Sequence, residues 1–498
     1  MCTELKSLIN DFELSTNPLR DNEFQKIKFI RICWVDLNNK TRCKAPSKSY
    51  ILDKSNGFEY VTVTNSCMSF PTLTDMIVKN SLPSEDIGEI WLVPDWKTLV
   101  ILDYLPDTAQ VMAYFYQSKK GVIAPALSTS GGPQSRLSKY DQLVPFSLDP
   151  RNVLKRAMND LQVNHGLQLK GSFEEEFYLF PLKPWLEEGM LKPLDSSAFA
   201  SVYSLDTYNT VLSKITNALE AMNIPIEQIL KESGPGQFEI TIPYTDILVA
   251  CDRHKLIHQT VKAVAYQNGF IACFLPKVFA NSAGNGCHAH LSLWRDGKNI
   301  VPITSSTYSF YPESGFSQDS CRFVAGLLHH AKSLTAIFNP CNNSYRRLTP
   351  NSWSGGYIAW GVDNKEVFIR IPSSPSTSVI GNTNFEVKTI DHCSNPYLVM
   401  ASIIYAGMHG MNDSSIQLPP LTSKNPANFT EEEKKQYLIG YLPSNLTDSL
   451  QCLDSDSYLK ENLGHDIIKS FITVKKFDLE SVKGLTLDDE IKKLIDIY

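Results

Sequence analysis

At 498 residues the chain is long enough for two or three average domains, or for one large catalytic domain with a smaller companion. Its 43% hydrophobic and 20% charged residues describe a water-soluble globular protein, and the net charge of −6, with no basic block, excludes a nucleic-acid footprint. The opening Met1-Cys-Thr-Glu-Leu-Lys-Ser-Leu-Ile-Asn-Asp11 is too acidic and too weakly apolar for a secretory leader, no run is long and apolar enough to span a membrane, and 11 cysteines without a Cys-x-x-Cys pair argue against a disulfide framework or structural zinc, so a reducing cytoplasmic setting is expected.

Residues 1–22 read as a short helix and a linker. Lys28 to Asp36, a polar turn and a return through Thr41-Arg42 predict a β-hairpin. Glu89–Pro94 and Thr98–Leu102 predict a second strand pair joined by a tight turn, so that residues 25–118 form a small mixed sheet; Asp53–Gly57 reads as a turn and Tyr60–Asn65 as an extended run. The stretch 119–143 is densest in small and turn-forming residues and marks the boundary between units 1–143 and 144–498.

A helix should begin at Asp149-Pro150, with Val153, Leu154, Ala157 and Leu161 on its apolar side. Strands and helices then alternate to about residue 412, with helices near 206–222, 247–268, 321–336 and 395–410. The remainder, 413–498, reads as a Pro-rich connection followed by charged helices that supply packing and surface.

Chemistry concentrates in three of the predicted strands. In Gly171-Ser-Phe-Glu-Glu-Glu-Phe-Tyr-Leu-Phe180, period two places Glu174 and Glu176 on one face of an otherwise aromatic run. Gln237-Phe-Glu239-Ile-Thr241 follows a Gly-Pro-Gly turn after Glu232 and sets Glu239 on the polar face of a second strand. Cys287-His-Ala-His-Leu-Ser292 turns His288, His290 and Ser292 the same way on a third. Carboxylates this close repel unless a positive charge lies between them, and a divalent cation is the economical answer.

A second constellation lies downstream: Asn343-Ser-Tyr-Arg-Arg347, Asn364-Lys365, Ile369-Arg370-Ile371 and Phe385-Glu386-Val-Lys388. A guanidinium held on a strand near a metal site suits two-point recognition of phosphate or carboxylate, whereas the structural alternative pairs Arg370 with the glutamates. With no Ser-His-Asp pattern and no Gly-rich Walker loop, carboxylate-bound metal plus anion-binding bases point to phosphoryl transfer from a metal-bound nucleotide.

These stretches, with Phe274-Leu-Pro-Lys277, Gly284-Asn-Gly-Cys-His288 and Asn395-Pro-Tyr-Leu398, occur in the order found in the glutamine synthetase family, which the chain resembles over most of 145–412. The resemblance implies an α+β fold: a small β-grasp-like N-terminal domain, and a large catalytic domain built on a curved antiparallel sheet flanked by helices. It implies two Mg2+ or Mn2+ sites, one held by Glu176, Glu232 and Glu239 and the other by Glu174, His288 and Glu386, with ATP as co-substrate. His290 and Ser292 would lie toward the nucleotide, and Arg347 and Gly284 would bind the amino-acid substrate. Arg370 and Lys365 would neutralise the transferred phosphate. The family activates a glutamate γ-carboxylate as an acyl phosphate for attack by an amine, in stacked rings of a large homo-oligomer that acts on small molecules.

The departures bear on the amine. Glutamine synthetases carry an acidic flap residue shortly after the Asn-Ser-Tyr-x-Arg motif, where this chain has Trp353, and Tyr60–Asn65 holds no counterpart of their Asp-Gly-Ser-Ser aspartate. Ala283 replaces an asparagine, and Lys365 and Lys388 replace arginines, keeping charge but losing the planar fork. Phosphoryl activation thus looks intact while ammonia capture does not, as expected of a γ-glutamyl-amide ligase or a FluG-like relative. The alternatives are a true glutamate–ammonia ligase and a catalytically silent homologue.

Overall fold

The computed structural model describes residues 21–52, 61–83, 88–118, 143–304, 309–373 and 383–498. The expected helix and linker before Asp21, the turn at Asp53–Gly57, Tyr60 and nearly all of the boundary stretch 119–143 lie outside those residues. Among the described residues no helix is long and apolar enough to cross a membrane.

The predicted hairpin is present as β1 (Phe29–Val35) and β2 (Thr41–Lys44), paired antiparallel from Ile32 with Lys44 to Val35 with Thr41. Asp36 closes its turn: the buried carboxylate accepts from Asn38 N and Lys40 N, both at 2.9 Å, and from Arg42 Nε at 2.7 Å. Five more strands complete this sheet: β3 (Val61–Thr64), β4 (Glu89–Pro94), β5 (Val100–Ile101), β6 (Thr108–Ser118) and β7 (Leu143–Pro145). The order is β2-β1-β6-β4-β3, with β5 and β7 also on β6 and with β1 and β6 parallel.

The expected hairpin between Glu89–Pro94 and Thr98–Leu102 does not form. Both segments run antiparallel to β6, Pro94 opposite Ala113 and Val100 opposite Gln110, so they are successive pieces of one edge interrupted by a helical turn at Trp96–Thr98. Period-two patterning reveals a strand's faces but not its partner.

The second sheet holds β8 (Gln168–Pro181), β9 (Gln228–Lys231), β10 (Gln237–Thr241), β11 (Thr245–Asp246), β12 (Phe270–Cys273), β13 (Ala289–Arg295), β14 (Lys298–Asn299), β15 (Tyr357–Val362), β16 (Val367–Ile371), β17 (Phe385–Val387) and β18 (Gly440–Tyr441). Its order is β18-β15-β16-β17-β13-β8-β10-β9, antiparallel except for β15 with β16. The α+β class therefore holds, with one parallel pair in each sheet. The long β8 is the spine: β13 and β12 share one edge, β10 and β11 the other.

Helices pack behind this sheet. Asp149 caps the helix Pro150–His165 by accepting from Arg151 N at 3.0 Å, and Asn395 caps Pro396–Asn412 at Tyr397 N and Leu398 N. The helix expected at 321–336 is two, Gln318–His329 and Ala331–Phe338. His330 at the break is held by Asp456 at 2.6 Å and His409 at 2.8 Å.

Candidate functional site

Strand order and register lay the polar side chains out in a row. Arg370 on β16 lies opposite Glu386 on β17, and Glu386 lies opposite His290 on β13. His290 pairs with Ser172 on β8, two positions before Glu174; across β8, Glu176 faces Glu239 on β10, which leads back through the Gly234-Pro235-Gly236 turn to Glu232 beside β9. Six adjacent strands thus bring residues as far apart in sequence as Glu174 and Glu386 to one surface because alternation turns them all forward.

A cavity of about 350 Å³ opens on this surface, lined by all six expected metal ligands together with Gly284, Arg347, Trp353, Lys365, Arg370 and Lys388. His288 Nδ1 lies 2.6 Å from Glu174 Oε2, 3.3 Å from Glu386 Oε1 and 3.8 Å from Glu176 Oε1. Glu174, Glu176 and His288 bring one donor atom each within 4.8 Å of one another, and so do Glu174, His290 and Glu386. Glu232 and Glu239 line the cavity but join neither triad.

His290 and Ser292 face a second cavity of about 560 Å³, and Glu174 borders both. His290 Nε2 stands 2.8 Å from Glu174 Oε1 and its Nδ1 3.0 Å from Asn384 Oδ1, whereas the Ser292 hydroxyl accepts from Trp294 Nε1 at 2.9 Å.

The charges divide sharply. Burial, with Glu232 next, pushes Glu176 up to about 8, and burial followed by Glu174 and Glu176 pushes Glu239 up to about 10. Burial likewise raises Glu232. At the other end burial works against ionisation but is outweighed: hydrogen bonds with His288 and His290 hold Glu174 well below the carboxylate range, and Lys388 holds Glu386 at about 2. Burial and Lys388 lower His288 to about 4, leaving a neutral imidazole able to ligate, while Glu174 overcomes burial to raise His290 to about 9.

Carboxylates that buried amid like charges, beside a neutral imidazole, form the donor set of a hard divalent cation, so the residues fit the metal chemistry the sequence suggests. A divalent cation held by Glu176 and Glu239 should therefore release protons on binding and bind more tightly as pH rises from 6 toward 8, because a carboxyl group ligates metal only once ionised. Titration calorimetry with Mg2+ in two buffers of different ionisation enthalpy measures this; equal heats and a flat affinity over that range would contradict it.

The anion-binding side chains differ in how free they are. Arg370 gives one amino group to Glu386 Oε2 at 2.7 Å, so the structural ion pair is real, yet the residue still reaches the cavity wall. Arg347 is buried, its amino groups on Thr389 O at 3.2 Å, Lys388 O at 2.9 Å and His288 Nε2 at 3.1 Å. Lys388 is also buried, 3.0 Å from Glu386 Oε1. Trp353, 59% exposed and at φ 56°, stands at the rim with Lys365 Nζ 5.9 Å from its ring.

Several residues that matter here have roles the sequence does not announce. The Glu366 carboxylate accepts from Asn351 N at 3.1 Å and Trp353 N at 2.8 Å, shaping the loop that presents the indole. Gly286 N donates to Glu176 Oε2 at 2.8 Å, and a Cβ on Gly286 would stand 2.5 Å from His288 Nε2 and 2.8 Å from an Arg347 nitrogen. The C-terminal helix Leu487–Leu494 is more than packing: its buried Glu490 takes Arg346 Nε at 2.9 Å and also binds Asn342, tying down the segment that ends in Arg347. None of these partners is near in sequence to what it holds.

Residues 147–494 match the family model described as "Glutamine synthetase, catalytic domain". The chain is 44% identical over 485 residues to "Type-1 glutamine synthetase 1" of Dictyostelium discoideum, covering 95% of this chain and 90% of that protein. It is 32% identical over 413 residues to the glutamine synthetase of Thermus thermophilus, covering 82% and 86%. Among solved structures, one described as "GmaS/ADP complex-Conformation 1" superposes with a TM-score of 0.75 at 26% identity, over 96% of this chain and 98% of that one.

Proposed function

The chain belongs to the glutamine synthetase family of ATP-dependent ligases, and from that premise we propose that it joins an amine larger than ammonia to the γ-carboxylate of a glutamate-like acid. The observation that carries the reading is Trp353. At the rim of the cavity stands an exposed indole, at the position that the sequence resemblance gives to the acidic flap residue of ammonia-using members, and the acids lining the cavity are Glu174, Glu176, Glu232, Glu239 and Glu386. With those five assigned to metal, no lining carboxylate among the described residues is left to attract a small ammonium ion. The Trp353 and Phe199 rings offer an apolar wall suited to an alkyl or aryl amine.

In this reading Glu176, Glu232 and Glu239 hold one divalent cation and Glu174, His288 and Glu386 the other. Metal bound there would neutralise the charge of the ATP phosphates and of the transferred group. The nucleotide lies in the second cavity beside Ser292 and cationic His290, with Glu174 between the two compartments. Arg347, Gly284 and Lys388 shape the place of the acid. The γ-carboxylate attacks the terminal phosphorus of ATP, ADP leaves, and Arg370 and Lys365 balance the charge of the acyl phosphate. The neutral amine then attacks the acyl carbon, phosphate departs and the amine nitrogen gives up its proton to solvent water. Stacked rings of this chain would complete each site from a neighbour, and gel filtration at a mass far above 56.0 kDa would accord with that.

A second reading, glutamate–ammonia ligation, is favoured by the name of the Dictyostelium relative. Phosphate release with glutamate, ATP and Mg2+ in the presence of ammonia or of primary amines separates them. The proposal expects a higher kcat/KM with an alkyl or aryl amine; ammonia outperforming every amine would overturn it. Placing a carboxylate at the rim with Trp353→Glu should raise kcat/KM for ammonia by roughly 10- to 100-fold, the worth of one hydrogen bond to a charged group.

A further inference from the structure

The back of β8 carries a second constellation. Glu175, between the two forward-facing glutamates, points into the protein interior, where it is met by His254 and His258 of the helix Ile247–Gln267 and by His392 before Pro396–Asn412. His254 and His258 are four apart and share one face of their helix. We infer that Glu175, His254, His258 and His392 form a binding site for one transition-metal ion of the Zn2+ type, separate from the carboxylate-rich site in front of the sheet.

The distances carry it. His254 Nδ1 lies 2.9 Å from Glu175 Oε1, His258 Nε2 3.3 Å from Glu175 Oε2 and 2.8 Å from His392 Nδ1, and His392 Nδ1 3.8 Å from Glu175 Oε2. Two donors on a tetrahedral ion with bonds of about 2.0–2.1 Å stand about 3.3–3.4 Å apart, which is the middle of that range. One donor atom from each of the four residues falls within 4.8 Å of the others.

Hydrogen bonding alone leaves the cluster unsatisfied. His258 Nε2 can give at most one proton, yet it faces both His392 Nδ1 and Glu175 Oε2. Among the described residues the buried Glu175 Oε2 has no hydrogen-bond partner. The neighbouring cation does not fill the gap, since Lys255 gives its ammonium to Asn39 O and Oδ1, each at 2.9 Å. Three imidazoles and one carboxylate favour zinc or its first-row neighbours over Mg2+. His258 and His392 also line a cavity of about 800 Å³ between the β1–β2 hairpin and the helix, which provides the entry path. Asn39 Nδ2 donates to His392 O at 2.9 Å, so an ion there would brace the N-terminal hairpin against the back of the catalytic sheet.

The test uses the full chain, stripped with chelator and titrated with Co2+ followed by visible absorption and elemental analysis. The expected result is one equivalent giving the intense d–d bands of a four-coordinate ion. No sulfur charge-transfer band should appear, although Cys287 Sγ lies 4.0 Å from His254 Nδ1. The signature should persist in Glu239→Gln, which alters only the front site, and vanish in His258→Gln and Glu175→Gln. Folded wild-type protein without these bands, a thiolate band, loss in Glu239→Gln, or persistence in His258→Gln would each overturn the site. The comparison of wild type with Glu239→Gln decides the matter even if the histidine variant fails to fold.

Discussion

Glu176→Gln is expected to cut ligase activity by about three orders of magnitude, about 4 kcal/mol of transition-state stabilisation, while raising the melting temperature of the metal-free protein. The two effects share one cause. Glu176 lies at the centre of the row, opposite Glu239 and 2.8 Å from Gly286 N, and burial beside Glu232 raises it to about 8. A carboxyl whose folded value exceeds its unfolded one near 4.5 stabilises the fold fully below the unfolded value and loses that contribution as pH climbs to about 8. Above that range its charge is a burden on the metal-free fold, which the amide relieves. The amide keeps the shape but cannot supply the negative charge a divalent cation requires. Scanning calorimetry with EDTA at pH 8.5, beside a steady-state assay with Mg2+, reads both quantities. A variant keeping more than about a tenth of wild-type turnover would remove Glu176 from the metal site.

Arg370→Ala is expected to lower kcat by about 100- to 1,000-fold with little change in KM for the acid, the loss typical of one charge-stabilising donor at a reacting centre. The competing view, that Arg370 merely pairs with Glu386, predicts a different pattern. Glu386 would still have Lys388 at 3.0 Å after the substitution, so the carboxylate stays compensated and the stability cost should be small, about 1 kcal/mol or less. A large fall in kcat with a nearly unchanged melting temperature supports phosphate stabilisation; the reverse pattern supports the ion pair. Arg370→Lys, which keeps the charge but not the fork, should recover part of the activity.

Much of the site was legible because strand periodicity is local. Alternation around Glu174, Glu176, Glu239, His288 and His290 fixes which way each side chain points, and the structure gathers them on one surface. What was illegible depended on pairing across long distances. Glu175 carries no signal of its own in the sequence, since nothing near it announces His254, His258 or His392. The piecewise edge of β4 and β5 has the sequence pattern of a hairpin because their common partner, β6, lies further along the chain and leaves no local mark on either. The interruption at His330 and the anchoring by Glu490 each rest on a side chain from another helix.

That anchoring sets an order of events during synthesis. Arg346 and Glu490 are separated by 144 positions, so when the short helix Ser344–Arg347 leaves the ribosome the carboxylate that steadies it does not yet exist. The strands of the second sheet can pair before that, but the segment that ends in Arg347 gains its anchor only when the helix Leu487–Leu494 docks, so a nascent polypeptide carries that corner of the cavity unsecured until then.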